Sequence, residues 1–131
     1  MYPVPDFPAV QPGIEKTIER TVDDNLVTRH VGGAGTFATP AMIGLMEQCS
    51  HKLIEPLLGD AYTTVGFEVW VKHLKPSEPG SRVSVTSRLA EVTDGRKLLF
   101  DVECREGDKL CGTGTHRRTI VAAFGPKPGA G

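Results

Sequence analysis

The 131-residue chain is predicted to form an α+β fold, one antiparallel sheet wrapped around a single central helix. Three observations predict it. Residues 37–58 carry one helical apolar stripe, four strand-like segments joined by turn sequences follow it, and a fifth strand-like segment, 14–22, precedes it. The length suits a single domain over 1–131 with one core and one site, and leaves no room for a separate cofactor domain.

Taken in order, residues 1–13 hold four prolines among Tyr2, Val4 and Phe7, which suits an extended arm lying on the body. In 14–22, Ile14, Lys16, Ile18, Arg20 and Val22 alternate with Glu15, Thr17, Glu19 and Thr21, a mixed pattern that fits a strand and that Asp23-Asp24-Asn25 breaks. Residues 26–31 can form a short second piece before Gly32, Gly33 and Gly35 turn the chain into the helix.

The helix is read from its start signals and its stripe. Thr39 offers an N-cap oxygen, and Pro40 suits the first helical position, where a missing N–H costs nothing. Met42, Leu45, Met46, Cys49, Leu53 and Leu57 recur at three- and four-residue intervals and are expected to face a hydrophobic surface. Glu47 falls on the shoulder of that stripe, in line with Ile43, Ser50 and Ile54. Gly59 is placed to end the helix in a left-handed conformation.

Strands follow. In 62–74 the apolar residues Val65, Phe67, Val69 and Val71 share one phase, and His73 shares it, so all five are expected to face the helix unless a bulge intervenes. Residues 75–81 read as a turn, and Val83, Val85 and Leu89 continue the alternation. Asp94-Gly95 is the strongest hairpin signal in the chain and leads into 97–105, where Leu98, Phe100, Val102 and Cys104 face one way. Glu106-Gly107-Asp108 turns into a last long strand, 109–124. The glycine- and proline-rich tail, 125–131, is expected to be disordered. A single sheet leaves edge strands and a far face to be covered, so a homodimer is expected.

Composition narrows the function. With 15 basic and 16 acidic residues the net charge is -1, which gives no nucleic-acid or membrane surface. Residues 1–13 show no basic stretch followed by an apolar run, and no stretch is long enough to span a bilayer, so a cytoplasmic location is expected. Cys49, Cys104 and Cys111 fit no zinc spacing and read as buried free thiols; the four histidines make no helical metal pair, so no metal is expected. The Gly32-Gly33-Ala34-Gly35-Thr36 run lacks the lysine of a phosphate loop and reads as a flexible loop. Taken singly, Glu47 can be a flank residue and His73 a satisfied core histidine. A helix packed across a sheet brings the two elements together, however, so both can enter one desolvated pocket with Thr39 as a hydroxyl donor.

These residues also carry a resemblance. Phe37-Ala38-Thr39, Gly44-Leu45-Met46-Glu47, Gly66, His73, and Gly114-Thr115-His116 with Arg118 resemble the fluoroacetyl-CoA thioesterase family of the hot-dog superfamily, over roughly 27–121. The resemblance implies a hot-dog fold, hydrolysis of a small acyl-CoA to acid and CoA, and a catalytic set of Thr39, Glu47 and His73. It further implies Gly66, Arg118 and Phe37 as substrate-facing residues. The free N–H of Ala41 at the helix start is a candidate oxyanion donor. Coenzyme A enters as part of the substrate, and no cofactor is called for.

Two departures from the family stand out. A fluoroacetyl-specific member has a longer, phenylalanine-bearing lid where this chain has only the glycine-rich residues 31–36, and glycine where this chain has Pro40, whose missing N–H excludes an oxyanion contact there. The Asp/Asn/His spacing of hot-dog hydratases is not matched by Asp23-Asp24-Asn25 and His30. The competing reading is a hot-dog module that binds an acyl thioester or hydrophobic small molecule without cleaving it. Because Thr39 and Glu47 lie roughly 12 Å apart along one helix, one site using both is expected to draw them from different protomers.

Overall fold

The first strand, β1 (Glu15–Thr21), leads through a 3-10 turn to a two-residue pair, β2 (Val27–Thr28) and β3 (Thr36–Phe37). The helix α1 (Thr39–Ile54) follows, then β4 (Tyr62–His73), β5 (Arg82–Thr93), β6 (Lys97–Glu106) and β7 (Lys109–Ala122). The structure, a computed structural model, describes residues 6–127. The outermost parts of the expected arm and tail, 1–5 and 128–131, lie outside the described residues. The five long strands form one antiparallel sheet in the order β1-β5-β6-β7-β4, which leaves β1 and β4 as its edges. This is the expected sheet around one helix.

Helix α1 buries Met42, Leu45, Met46 and Cys49 against Val83, Val85, Leu89, Leu98, Phe100, Val102 and Ile120 of the sheet. Burial of each such side chain is worth about 1.5–3 kcal/mol. The buried face is set slightly differently from the sequence stripe. Ser50 and Ile54 are fully buried while Leu53 and Leu57 are half-buried, so the shoulder carrying Glu47 sinks deeper toward its C-terminal end. Ser50 tolerates this because its hydroxyl donates to the Met46 carbonyl (2.9 Å) and meets the Ser87 hydroxyl at 2.6 Å.

The helix start also differs from expectation. Ala38 is the N-cap, without a side-chain bond, and Thr39 and Pro40 are the first two helical residues. Helical bonding begins with Met42 N–H to the Ala38 carbonyl, which leaves the Ala41 N–H outside the ladder. The Thr39 hydroxyl is used elsewhere. At the far end α1 tightens into a 3-10 turn, Glu55–Leu57, and Gly59 takes the left-handed conformation expected of it (φ 75°).

The sharpest departure lies in β4. Its register against β7 slips between Gly66 and Glu68, a bulge at Phe67. Before the bulge Thr64 faces inward; after it Val69, Val71 and His73 do. Val65 and Phe67, expected inside, are therefore 41% and 56% exposed, and Trp70 is 71% exposed. The free edge of the sheet thus displays a row of apolar side chains. The Asp94-Gly95 hairpin is as expected, with both residues at positive φ (56° and 68°) as a tight primed turn requires.

Two glycines in β7 admit the neighbouring strand and the helix. A Cβ on Gly114 would stand 2.0 Å from the Trp70 carbonyl oxygen, part of a backbone that cannot yield, whereas one on Gly112 would clash with the side-chain tip of buried Met42 and touch the Lys72 carbonyl oxygen only at ordinary contact distance. Gly114→Ala is expected to cost about 1–3 kcal/mol in chemical denaturation and Gly112→Ala less. Equal losses would contradict this packing.

Candidate active site

The sequence-derived candidates separate into two groups at different heights on α1. At the helix start, Thr39 Oγ1 and His73 Nδ1 share a hydrogen bond of 2.8 Å. The Phe37 ring, fully buried, packs edge-on against the imidazole with centroids 5.9 Å apart. These residues line a cavity of about 270 Å³ with Thr28, Thr36, Leu74, Lys75 and Pro76. His73 Nε2 is buried and has no hydrogen-bond partner among the described residues. Burial lowers the His73 pKa, partly offset by the Lys75 backbone, so the ring is held neutral. The Thr39 hydroxyl therefore meets His73 and does not cap the helix.

Two turns further along, half-buried Glu47 lines a separate cavity of about 280 Å³ with Gly66, Phe67, Glu68, Val69 and His116. Glu47 and His73 do not share a cavity within one chain, contrary to the single-pocket expectation. The spacing along the helix is the reason: Glu47 is level with the β4 bulge, whereas His73 ends the strand beside Thr39. Gly66 is explained by this crowding, since a Cβ there would lie 2.8 Å from His116 Cε1 and 3.1 Å from Arg118 Nη1.

Beneath the Glu47 cavity lies a network centred on Arg118, the residue the resemblance implied as substrate-facing, which here is buried among its hydrogen-bond partners. Arg118 is only 7% exposed. Its Nε donates to Thr64 Oγ1 (2.8 Å), its Nη2 to the Thr64 carbonyl (3.0 Å) and to His51 Nδ1 (3.3 Å), and its Nη1 to His116 Nε2 (3.1 Å). His51 in turn faces Glu55 at 3.4 Å. Among the described residues no carboxylate bonds the guanidinium; burial lowers its pKa, and the negative charges of Glu47 and Glu55 work against that shift. The signal was present in the last strand, where His116 and Arg118 share the phase of the core residue Ile120.

Other regions offer less chemistry. The three cysteines are free and buried, as expected, and burial pushes the Cys104 thiol up to about 12, which leaves no thiolate to react. A larger concavity, about 760 Å³, between the arm and the β5–β6 hairpin is lined by Phe7, Pro8, Val10, Pro12 and Val92 together with Asp6, Gln11, Asp94 and Gly95, with no histidine or cysteine. Among the described residues no helix is long and apolar enough to cross a membrane.

The family profile described as fluoroacetyl-CoA-specific thioesterase (FlK) matches residues 20–123, a span that takes in both ends of α1, Gly66, His73 and Arg118. The chain belongs to this family. The fluoroacetyl-CoA thioesterase of Streptantibioticus cattleyicolor is 35% identical over 85 residues, 65% of this chain; the chain spans 60% of that enzyme's length. A solved structure of the fluoroacetyl-CoA thioesterase FlK superposes with a TM-score of 0.79 at 29% identity, covering 86% of this chain and 89% of the other. A hot-dog-like protein from Thermanaerovibrio acidaminovorans, 20% identical, shares the fold with a TM-score of 0.78 over 92% of this chain and 96% of its own. The hot-dog arrangement inferred from the strand pattern is thus the arrangement of the family.

The buried imidazoles of this family member set a pH response. His51, His73 and His116 are each lowered below the ordinary value of 6.5, chiefly by burial. The unfolded chain binds these protons more readily than the folded one. The stability they contribute is therefore complete above pH 6.5 and is lost as the pH falls through the lowered folded values. The thermal midpoint should fall between pH 6.5 and the carboxylate range; a flat midpoint across that window would contradict the neutral imidazoles.

Proposed function

We propose that the protein hydrolyses a small acyl-CoA thioester to the free acid and CoA, at a site shared by two protomers of a homodimer. The observation that carries this reading is the division of the family residues into two halves, each lacking what the other has. One end of α1 supplies the Thr39–His73 hydrogen bond and a buried, unpartnered His73 Nε2. The middle of α1 supplies the Glu47 carboxylate beside the Gly66 backbone. Two antiparallel copies of α1 about a two-fold axis would bring the start of each helix to the middle of the other. The apolar free edge of β4, with Phe67, Trp70 and Leu74 exposed, supports such pairing through that strand.

The parts meet the needs of thioester cleavage. Glu47 acts on the acyl carbonyl, by direct attack to an anhydride or by taking a proton from water; both routes use the same carboxylate. Thr39 and neutral His73 orient the water. In the general-base route the proton that Glu47 takes from it goes on to the departing CoA sulfur; in the anhydride route CoA thiolate leaves first and His73 accepts the proton of the water that opens the anhydride. The Ala41 N–H, outside the helical ladder, and the Gly66 backbone are the donors proposed for the carbonyl oxygen as it gains charge. Pro40 can give nothing there. The loop between β2 and β3 is short and exposed, with Val31 74% exposed, so the acyl group is read as small without a claim for fluoroacetyl selectivity.

Release of thiol from a panel of short-chain, branched, aromatic and fluorinated acyl-CoAs tests the activity; ligand protection without CoA release would favour the binding module instead. Glu47→Gln and His73→Ala are each expected to lower kcat by about 10²–10⁴-fold in dimers that remain folded, and full turnover in either would remove that residue from the mechanism. Mixing Thr39→Ala with Glu47→Ala chains should leave one intact site per mixed dimer, hence about half of wild-type activity. No recovery in a verified mixed dimer would rule out a site shared between protomers.

A further inference from the structure

His116 stands on β7 with its ring stacked on Phe100 (centroids 6.2 Å, 27°), and it is buried. Both ring nitrogens meet partners whose chemistry runs one way. The Glu68 carbonyl, 2.9 Å from Nδ1, can only accept, so Nδ1 carries the proton. The Arg118 guanidinium, 3.1 Å from Nε2, can only donate, so Nε2 is a bare lone pair. The ring is therefore neutral and fixed in one tautomer, and burial together with the Arg118 charge holds its pKa below 6.5 against the opposing Glu68 carbonyl and Glu47 charge. With both nitrogens engaged, it has no site left for proton transfer.

What the ring holds is the wall of the Glu47 cavity. Glu68 is the first residue to pair again after the β4 bulge, and Gly66, Phe67 and Glu68 line that cavity together with His116. The bulge lies close on the imidazole, since a Cβ on Gly66 would come within 2.8 Å of Cε1. On its other side the ring receives the buried Arg118, whose remaining donors are anchored at Thr64 and His51. We propose that His116 is a positioning residue which clamps the Gly66–Glu68 bulge to the buried Arg118 and so fixes the backbone wall facing Glu47. The clamp rests on the reading of the Glu47 cavity as part of a thioesterase site.

The test compares two variants with the wild type on the best acyl-CoA of the thiol-release panel. His116→Phe keeps the aromatic volume against Phe100 and removes both hydrogen bonds. His116→Gln retains one N–H donor and one carbonyl acceptor. The clamp predicts that H116F loses kcat on the order of 100-fold with KM little changed and the dimer intact, and that H116Q recovers most of that loss. Wild-type kcat per folded H116F dimer, or equal losses in H116F and H116Q at matched thermal stability, would overturn it. Should H116F fail to fold, long-range proton–nitrogen NMR of the wild-type imidazole decides: a neutral ring protonated at Nδ1 at pH 7 supports the clamp, and an Nε2-protonated or cationic ring overturns it. That spectrum needs no turnover, so an inactive wild type would end the thioesterase reading while the clamp is still judged by the NMR.

Discussion

The rigidity of α1 is the constraint on which the site depends. A helix fixes Thr39 and Glu47 at a separation of roughly 12 Å, and the burial of Met42, Leu45, Met46 and Cys49 against the sheet prevents the helix from sliding or turning to shorten it. Each end of the helix then takes its partners from the strand level with it. His73 closes the end of β4 beside Thr39, and Gly66 with the bulge lies beside Glu47. The two halves are set by packing, and no rotamer change within a chain merges them.

The β4 bulge is the second decisive feature. One extra residue reverses the inward phase of the strand, which brings His73 to the helix side and sends Val65 and Phe67 to the edge. A single irregularity thereby turns a candidate site residue inward and leaves an apolar edge suited to a second copy. The buried Arg118 sits behind it, satisfied by Thr64, His51 and His116 instead of a carboxylate. Its charge stays within the field of Glu47, and burial of this kind is tolerable only because all three groups of its fork find acceptors.

The periodic signals were the legible part of the sequence. The alternation in β5 and β6, the Asp94-Gly95 turn, the stripe of α1 and the Gly59 stop all translate directly into structure, because each is local and repeated. Irregular features were hidden for the same reason. The bulge at Phe67 leaves no local mark beyond Gly66, since an unbroken run of alternating apolar residues crosses it. Thr39 satisfied every local rule for an N-cap, yet its hydroxyl binds His73, 34 residues away, and tertiary geometry took precedence. Glu47 and His73 were correctly drawn to the helix side, but a sequence phase gives the face of an element and not the height along it. The resemblance pointed to Arg118 as a substrate-facing residue, but its burial together with His116 lay in their inward phase in β7, which their polar character disguised.

The central claim is that the Thr39–His73 end of one protomer and the Glu47 end of another enclose one cavity. A crystal structure of the protein taken from its solution oligomer measures this directly. The account predicts a two-fold dimer paired along β4 in which the Thr39 hydroxyl and His73 Nε2 lie within hydrogen-bond reach, directly or through one water, of Glu47 of the partner subunit. A monomer, or a dimer whose Glu47 and His73 cavities open to separate solvent, would contradict it.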